Sequence, residues 1–263
     1  MAVIEGEAIV LRAVDYGESD LIAHLLLPDV GRITVIAKHA RKSQKRFPGS
    51  LDLFNHLQVQ ISRKRPGGLG FLERGALIEA FLPLRRDAAR YALASYLVEL
   101  MGRMAPEDGL RTDTRRLFAF VLSALSALAA EYPDQRMRLF LELRAFEALG
   151  LCPGLRRCVR CGAEPDAAQV GFHVADGGMI CGAHGAEGRA GILPVHLGTL
   201  RALDKSLESE IDQLGRLRLS GQALDEAQEI LFRFHRFHLG FELKSERFLE
   251  ESLAAGGLTA AAP

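Results

Sequence analysis

The chain has no tryptophan and only four cysteines among its 263 residues. So few cysteines cannot build the disulfide framework that holds small secreted domains together. The longest apolar stretch, residues 117–130, includes serines and is shorter than the roughly 20 residues that a membrane-spanning helix needs. The first residues lack the basic and apolar regions of a signal peptide. We therefore expect no membrane association and a location in the reducing cytoplasm.

An excess of charge of either sign is also missing, since 33 basic residues balance 33 acidic ones. This balance excludes a protein that is polycationic throughout, but it leaves room for a local basic patch. The sequence has no Walker loop, no Gly-x-Gly-x-x-Gly after a strand and no Gly-x-Ser-x-Gly elbow. No pair of acids stands out as a general acid and base. We expect a binding protein and not an enzyme.

Four residues near the middle of the chain have the ligand spacing of a small zinc module: Cys158, Cys161, Cys181 and His184. Two residues separate each short pair, and nineteen lie between the pairs. Thiolates and imidazole suit Zn²⁺, and four protein ligands leave no open position for a reactive water. Gly162 and Gly185 follow the two pairs and can supply the positive φ of a tight turn. The pattern predicts a structural zinc site.

Other interpretations of these residues stay open. A Cys-x-x-Cys pair can be redox-active or form a disulfide, and single cysteines often pack as small buried side chains. Cys152, in a Leu-Cys-Pro-Gly stretch, and His173, in an apolar stretch, could each replace His184 as the fourth ligand.

Residues 1–82 have the pattern of a small β domain. Strand-like runs are separated by turn signals, and one of them alternates strictly between apolar and polar residues. Five short strands with a longer insertion after the third predict an OB-fold barrel, with a sandwich fragment or an SH3-like barrel as the alternatives. The runs cover residues 3–11, 21–27, 33–37, 56–62 and 71–81.

From residue 84 the apolar residues recur at helical spacing, which predicts an α-helical domain over 83–253. The metal module occupies 151–190 and is inserted in it, and 254–263 form an Ala/Gly-rich tail that we expect to be disordered. Within the helical part we predict Thr112 or Asp113 as an N-cap and Gly150 as the glycine that ends a helix. The fold class is therefore α+β and multi-domain.

Positive charge is concentrated between residues 38 and 65, where eight basic side chains accompany a single acid, Asp52. Clustered Lys and Arg bind phosphates, and His39, Arg41 and Phe47 could also stack on bases. A solvated loop is the simpler alternative. A smaller cluster, which includes Arg157 and Arg160, either extends this candidate phosphate-binding surface or only decorates the metal module. The basic residues of the main segment are Lys38, Arg41, Lys42, Lys45, Arg46, Arg63, Lys64 and Arg65.

Four segments, in this order, resemble the RecO family of bacterial recombination mediators, and the resemblance runs from about residue 3 to residue 253. Family members more often carry Gly at the place of His39, and many end the metal module with a second Cys-x-x-Cys, where this chain has Cys181-Gly-Ala-His184. The segments are 7–20 (Glu-Ala-Ile-Val-Leu-Arg, then Tyr-Gly-Glu-Ser-Asp), 31–41 (Gly-Arg-Ile-Thr-Val-Ile-Ala-Lys-His-Ala-Arg), 149–162 (Leu-Gly-Leu-Cys-Pro-Gly-Leu-Arg-Arg-Cys-Val-Arg-Cys-Gly) and 243–249 (Leu-Lys-Ser-Glu-Arg-Phe-Leu).

The resemblance implies an OB-fold domain, a helical domain with a zinc module, and binding of single- and double-stranded DNA. It also implies annealing of complementary strands and cooperation with RecR. With RecR, the family helps RecA replace single-strand-binding protein on gapped DNA in the nucleoid. The Phe-rich C-terminal helices could offer a groove for the tail of single-strand-binding protein. The residues alone also permit an RNA-binding module, a metal-dependent hydrolase or a zinc-stapled scaffold for partner proteins.

Overall fold

A computed structural model of the chain describes residues 2–43, 46–47, 49–165, 167–185 and 191–259. The chain forms two compact units. Unit 1 comprises residues 1–132 and 245–252, and unit 2 comprises residues 133–244 and 253–263.

Unit 1 begins with a closed five-stranded barrel whose strand order is β1-β2-β3-β5-β4. The order and the closure are those of an OB-fold, which confirms the predicted fold and rules out a sandwich fragment. Strand β1 is longer than predicted because its first half pairs with β4 and its second half with β2. The strands are β1 (Ala2–Tyr16), β2 (Asp20–Leu27), β3 (Gly31–Ala37), β4 (His56–Arg63) and β5 (Gly70–Glu79).

Alternate residues of the strands fill the barrel, as the period of a half-buried strand requires. In β3, for example, Ile33, Val35 and Ala37 lie in the barrel core. The loop between β3 and β4 (residues 38–55, the β3–β4 loop) adds three further side chains to that core, namely Ala40, Phe47 and Leu51. The described parts of the loop are therefore packed onto the barrel.

Three helices of unit 1 follow the barrel, and they are α1 (Leu82–Arg85), α2 (Ala88–Met104) and α3 (Arg111–Ala130). Asp87 caps α2 by accepting a hydrogen bond from the backbone N–H of Arg90. The predicted N-cap of α3 at Thr112 or Asp113 is wrong, because the N-cap is Leu110, two or three residues earlier, and Leu110 provides no side-chain cap. The chain makes this start without a polar cap because Thr114 Oγ1 donates to the carbonyl of Pro28 at 2.7 Å and fixes the first turn.

Unit 2 contains helices around a small antiparallel sheet of order β7-β6-β8. Helix α4 ends at Ala148, and Gly150 follows with φ +75°, which confirms the predicted terminating glycine. A 3₁₀-helix, Ile211–Arg216, precedes the last long helix of the unit. The elements are α4 (Gln135–Ala148), β6 (Gln169–His173), β7 (Gly178–Ile180), α5 (Gly182–Gly185), β8 (Ile192–His196), α6 (Leu197–Glu208) and α7 (Gly221–Leu239).

The last helix, α8 (Glu246–Thr259), starts in unit 1 and continues past it. The tail at 254–263 was expected to be disordered, but residues 254–259 continue the helix, since Leu253, Ala254 and Ala255 are strong helix formers. Residues 260–263 lie outside the described residues. The domain boundary at residue 82 stays a prediction.

The described helices include none that is both long and apolar enough to cross a membrane.

The loop between α2 and α3 is tied to the barrel by a salt bridge. Asp108 accepts hydrogen bonds from both terminal nitrogens of Arg63, at the end of β4, and from the backbone N–H of Gly67 at 2.5 Å. Burial raises the pKa of Asp108, but the hydrogen bonds from Arg63 and Gly67 outweigh it and hold the pKa below its usual range. The charged carboxylate thus fixes the turn between β4 and β5.

We expect Asp108→Asn to lower the free energy of unfolding by about 1–3 kcal/mol at pH 7, because it leaves the buried Arg63 guanidinium without its counter-charge. A carboxylate with a lowered pKa stabilises the fold above its unfolded pKa of about 3.9, and this stabilisation is lost as the pH falls through the folded pKa. Urea unfolding at several pH values measures the free energy of unfolding of both proteins. The difference between the unmodified protein and Asp108→Asn should shrink below about pH 4. Asp113→Asn, at an exposed ion pair with Arg116, is the control and should change little.

Candidate metal centre and nucleic-acid interface

Four side chains that are far apart in the sequence come together in unit 2. One ligand atom from each of Cys158, Cys161, Cys181 and His184 lies within 4.8 Å of all the others. Nδ1 of His184 is 3.5 Å from Sγ of Cys158 and 3.3 Å from Sγ of Cys181, and the sulfurs of Cys161 and Cys181 are 3.8 Å apart. The cluster could hold a metal ion.

These separations fit a tetrahedral ion. With Zn–S bonds of about 2.3 Å and Zn–N bonds of about 2.0–2.1 Å, a tetrahedron places two sulfurs about 3.8 Å apart and a sulfur and a nitrogen about 3.5 Å apart. Three of the six separations therefore match the edges of such a tetrahedron, and Nδ1 is the nitrogen of His184 that faces the sulfurs.

The two halves of the cluster are built differently. The first is a tight turn in which Gly162 has φ +74° and donates its N–H to the carbonyl of Cys158 at 2.8 Å, as predicted. The second is a helical turn, α5, in which the N–H of His184 reaches the carbonyl of Cys181 at 3.0 Å. Gly185 has no positive φ, so the left-handed turn expected there is wrong. A helical turn already places residues three apart on one face.

Two of the three cysteines are shifted towards the thiolate, the form of cysteine that binds metals. The N–H of Ala163 lowers the pKa of Cys161, but the sulfurs of Cys158 and Cys181 outweigh it, so this pKa is raised instead. Burial raises the pKa of Cys158, but backbone N–H groups of Cys181, Cys161 and Arg160 point at its sulfur and lower the pKa to about 6. The N–H of His184 lowers the pKa of Cys181. The sulfurs of Cys181 and Cys158 in turn raise the pKa of His184.

The two rival ligands lie elsewhere. Cys152 is outside the cluster. Although part of the residue is exposed, desolvation by the surrounding protein raises the pKa of its thiol to about 11, which keeps the thiol protonated. Nδ1 of His173 accepts a hydrogen bond from the backbone N–H of Asp176 at 3.0 Å. Among the described residues, His184 is therefore the fourth member of the cluster.

The basic β3–β4 loop leaves the barrel at a strained residue. His39 has φ +56°, a left-handed conformation that favours glycine. Its backbone N–H donates to Asp20 at 2.8 Å, and its ring nitrogen Nδ1 lies 3.1 Å from Ser19 Oγ. The ring is thus engaged with the turn between β1 and β2, and this contact holds the start of the loop.

Further bonds fix the loop along its length. The N–H of Arg41 donates to the carbonyl of Ser19 at 3.1 Å, and the N–H of Gly75, in β5, donates to the carbonyl of Arg46 at 3.1 Å. The Arg46 guanidinium donates to the carbonyl of Lys38 at 2.6 Å and lies over the Phe47 ring. The described parts of the loop are consequently held at both ends of its basic stretch.

The predicted phosphate-binding residues have different environments. Lys38, Arg41 and Lys42 are exposed at the end of the barrel, and Arg41 forms only a loose pair with Asp15 at 3.5 Å.

Arg46 is half-buried and supports the loop, and Phe47 is buried in the barrel core. Lys64 and Arg65 are exposed in the turn between β4 and β5, and Lys45 lies outside the described residues.

Arg63 corrects the predicted set. Its side chain is only 10% exposed and is clamped by Asp108, so it braces the barrel and does not present a charge to solvent. Sequence spacing could not reveal this, because Asp108 lies 45 residues further along the chain.

The smaller basic cluster is paired with acids. Arg157 contacts Glu164 at 2.6 Å, and Arg160 contacts Asp176 at 2.6 Å. Both carboxylates belong to the metal module, so they offset the charge that a phosphate would meet there. This favours the view that these arginines decorate the module.

Two family models together match most of the chain. That described as Recombination protein O N terminal covers residues 1–81, and that described as Recombination protein O C terminal covers residues 85–247. The chain belongs to the RecO family. RecO proteins are DNA repair proteins, and relatives that carry the name DNA repair protein RecO align with this chain over nearly their whole length.

Among these RecO relatives, that of Anaeromyxobacter dehalogenans strain 2CP-C is 36% identical over 243 residues, which are 92% of this chain and 94% of the relative. That of Syntrophus aciditrophicus is 33% identical over 93% of this chain and 94% of its own length. That of Desulfatibacillum aliphaticivorans is 32% identical over 95% and 98%.

One feature of this RecO chain was missed from the sequence, namely a cleft between the β3–β4 loop and the barrel. Its lining comes from the loop and from Leu21 in β2, and only folding brings these together. The one local signal was Asp52, the single acid in a basic segment.

We expect this RecO chain to bind one divalent metal ion at the four-residue cluster. Cys158→Ser should abolish binding in elemental analysis of the purified protein and lower its melting temperature, because the two halves of the module lose their common ligand. Cys152→Ser is the matched control, since it also removes a thiol of the module and should change neither value. Metal retention in the Cys158→Ser variant would contradict the site.

Proposed function

We propose that this chain is a DNA repair and recombination mediator that binds single- and double-stranded DNA and anneals complementary strands. With RecR it helps to load RecA onto DNA that is coated with single-strand-binding protein. The observation that carries this proposal is the row of exposed cations Lys38, Arg41 and Lys42 on a loop that is fixed to a closed OB barrel. We place this activity in the cytoplasm, on nucleoid DNA.

The physical argument concerns phosphates. An annealing protein has to hold two backbones without covering the base edges that must pair, and exposed Lys and Arg side chains bind phosphate independently of sequence. Their affinity then comes from counterion release, which needs charge and no catalytic step. Membership in a DNA repair family agrees with this use of the loop.

The ion of the metal module is, in this proposal, a structural Zn²⁺. Three thiolates and one imidazole suit zinc, and a site closed by four protein ligands leaves no position for the bound water of a hydrolase. The ion would be held by Cys158, Cys161, Cys181 and His184. It would cross-link the two halves of the module and would have no catalytic role. The rival view of a metal-dependent hydrolase loses its support in this geometry.

A groove in unit 2 supports single-strand-binding protein as a partner. Phe232 and Phe237 of α7 are exposed and line it, together with Val174, Arg233 and Arg236. Arg233 pairs with Glu229 at 2.5 Å and Arg236 pairs with Glu242, so an acidic peptide would compete with these glutamates. The groove has a volume of about 580 Å³. Exposed aromatic rings flanked by arginines suit an acidic peptide that also carries an apolar side chain. The tail of single-strand-binding protein is the proposed occupant.

The groove predicts that Phe232→Ala weakens binding of the C-terminal peptide of the same organism's single-strand-binding protein by about tenfold, because an aromatic anchor is lost. Phe248→Ala is the matched control, since both rings are 43% exposed and Phe248 belongs to unit 1. Isothermal titration calorimetry with the peptide measures the affinity of both variants. Equal affinities in the two variants would remove the peptide from this groove.

The loop predicts a steep salt dependence. If about six phosphates of single-stranded DNA are contacted, log affinity should fall with log salt at a slope near −4. Arg41→Ala/Lys42→Ala should reduce the slope by about 1.4 and the affinity by about tenfold, because two phosphate contacts are lost. Fluorescence anisotropy of a labelled oligonucleotide across a salt series measures both quantities.

The matched control for that experiment is Arg157→Ala/Arg160→Ala, which removes the same charge from residues that are paired with acids. Its slope should stay closer to that of the unmodified protein. If the two double variants lose affinity and salt slope equally, the placement of DNA on the loop is contradicted. Competition with RNA of the same sequence tests the alternative of an RNA-binding module, for which RNA should bind more tightly than single-stranded DNA.

A further inference from the structure

A cleft of about 540 Å³ opens at the end of the barrel, where the β3–β4 loop passes the start of β2. Its size lies within the range of small-molecule and nucleotide sites. The residues that line it are Leu21, Ala40, Arg41, Lys42, Ser43, Phe47, Gly49, Ser50, Leu51 and Asp52.

The floor and the rim of the cleft differ in chemistry. Ala40, Phe47 and Leu51 are buried members of the barrel core and form an apolar floor. Arg41, Lys42 and Asp52 are exposed and form a charged rim. An apolar floor cannot stabilise a phosphate, but it suits the flat face of an unstacked base, while cations at the rim suit the phosphates on either side of that base.

The negative charge of Asp52 is unfavourable on a surface that binds only phosphate. It is the only acid between residues 38 and 65, and it would repel a DNA backbone. Within the part of the chain that the structure describes, its carboxylate forms no ion pair that would neutralise it. A carboxylate is, however, the natural acceptor for the exocyclic amino group of a base such as cytosine.

We propose that this cleft holds a single unstacked nucleobase of bound single-stranded DNA, with Asp52 accepting a hydrogen bond from the amino group of the base. Arg41 and Lys42 bind the flanking phosphates. The site prefers cytosine over thymine, which has no amino group. This inference rests on the proposed binding of DNA by the β3–β4 loop and names the part of the DNA that the loop receives.

The proposal and simple electrostatics predict opposite signs for one substitution. Removing Asp52 makes the loop more positive, so a surface that binds only phosphate should bind every strand more tightly. A base site should instead lose affinity for cytosine. We would measure the Kd of the full-length protein and of Asp52→Ala for oligo(dC) and oligo(dT) of equal length, which carry equal numbers of phosphates.

For the unmodified protein we expect oligo(dC) to bind about tenfold more tightly than oligo(dT). Asp52→Ala should lose this preference, through weaker binding of oligo(dC). Asp15→Ala is the matched control, because it removes another exposed carboxylate that lies beside Arg41. It should tighten binding of both strands equally.

A second measurement needs no variant. Replacing the bases of oligo(dC) by abasic sites keeps the phosphates and should weaken binding to the unmodified protein by about tenfold, at an unchanged salt slope. If Asp52→Ala tightens both strands as Asp15→Ala does, or if abasic strands bind as well as oligo(dC), the base site is wrong while phosphate binding by the loop stands. If neither strand binds at low salt, the proposed function itself fails.

Discussion

Strand β1 makes the barrel possible, because a single strand supplies both edges at which the sheet closes. Its first half pairs with β4 and its second half with β2, and the register shifts between Val10 and Arg12, where the strand passes from one partner to the other. A sheet without free edges has no exposed row of unpaired backbone groups. It also gives the loops at its ends fixed positions. The location of the basic β3–β4 loop follows from this closure.

Different interactions hold the irregular segments of the two units in position. In unit 1 the β3–β4 loop inserts Ala40, Phe47 and Leu51 into the barrel core, so hydrophobic burial holds the loop while its charged residues stay outside. In the metal module little apolar surface is available, and the described cluster around Cys158 includes only Ile180, Cys181 and Ile192. The four ligand atoms of the metal cluster lie within 4.8 Å of one another, so a bound ion would link the two halves of the module in place of a larger core.

Much of this could be predicted from the sequence where the signal was local. The strands of the barrel, the glycine that ends α4 and the four members of the metal cluster follow from periodicity or spacing. Contacts between distant segments could not be predicted: Arg63 belongs to a clamp because Asp108 reaches it from the loop between two helices. The start of α3 was missed because Thr114 is held by the carbonyl of Pro28, a contact outside its own helix. The cleft beside Asp52 has a wall from β2 for the same reason.

Residues 245–252 return from the far end of the chain to unit 1. There the N–H and the hydroxyl of Ser245 donate to Glu99 of α2 at 2.9 and 2.7 Å, and the rings of Phe248 and Tyr91 meet edge to face. A ribosome releases a chain from its N-terminus onward, and domains generally fold as they emerge. The barrel can close early in synthesis, but the helical layer of unit 1 is complete only when residues 245–252 have left the ribosome. Residues 133–244 of unit 2 are therefore translated before the last segment of unit 1 is available, so unit 1 cannot complete its fold until they have been made.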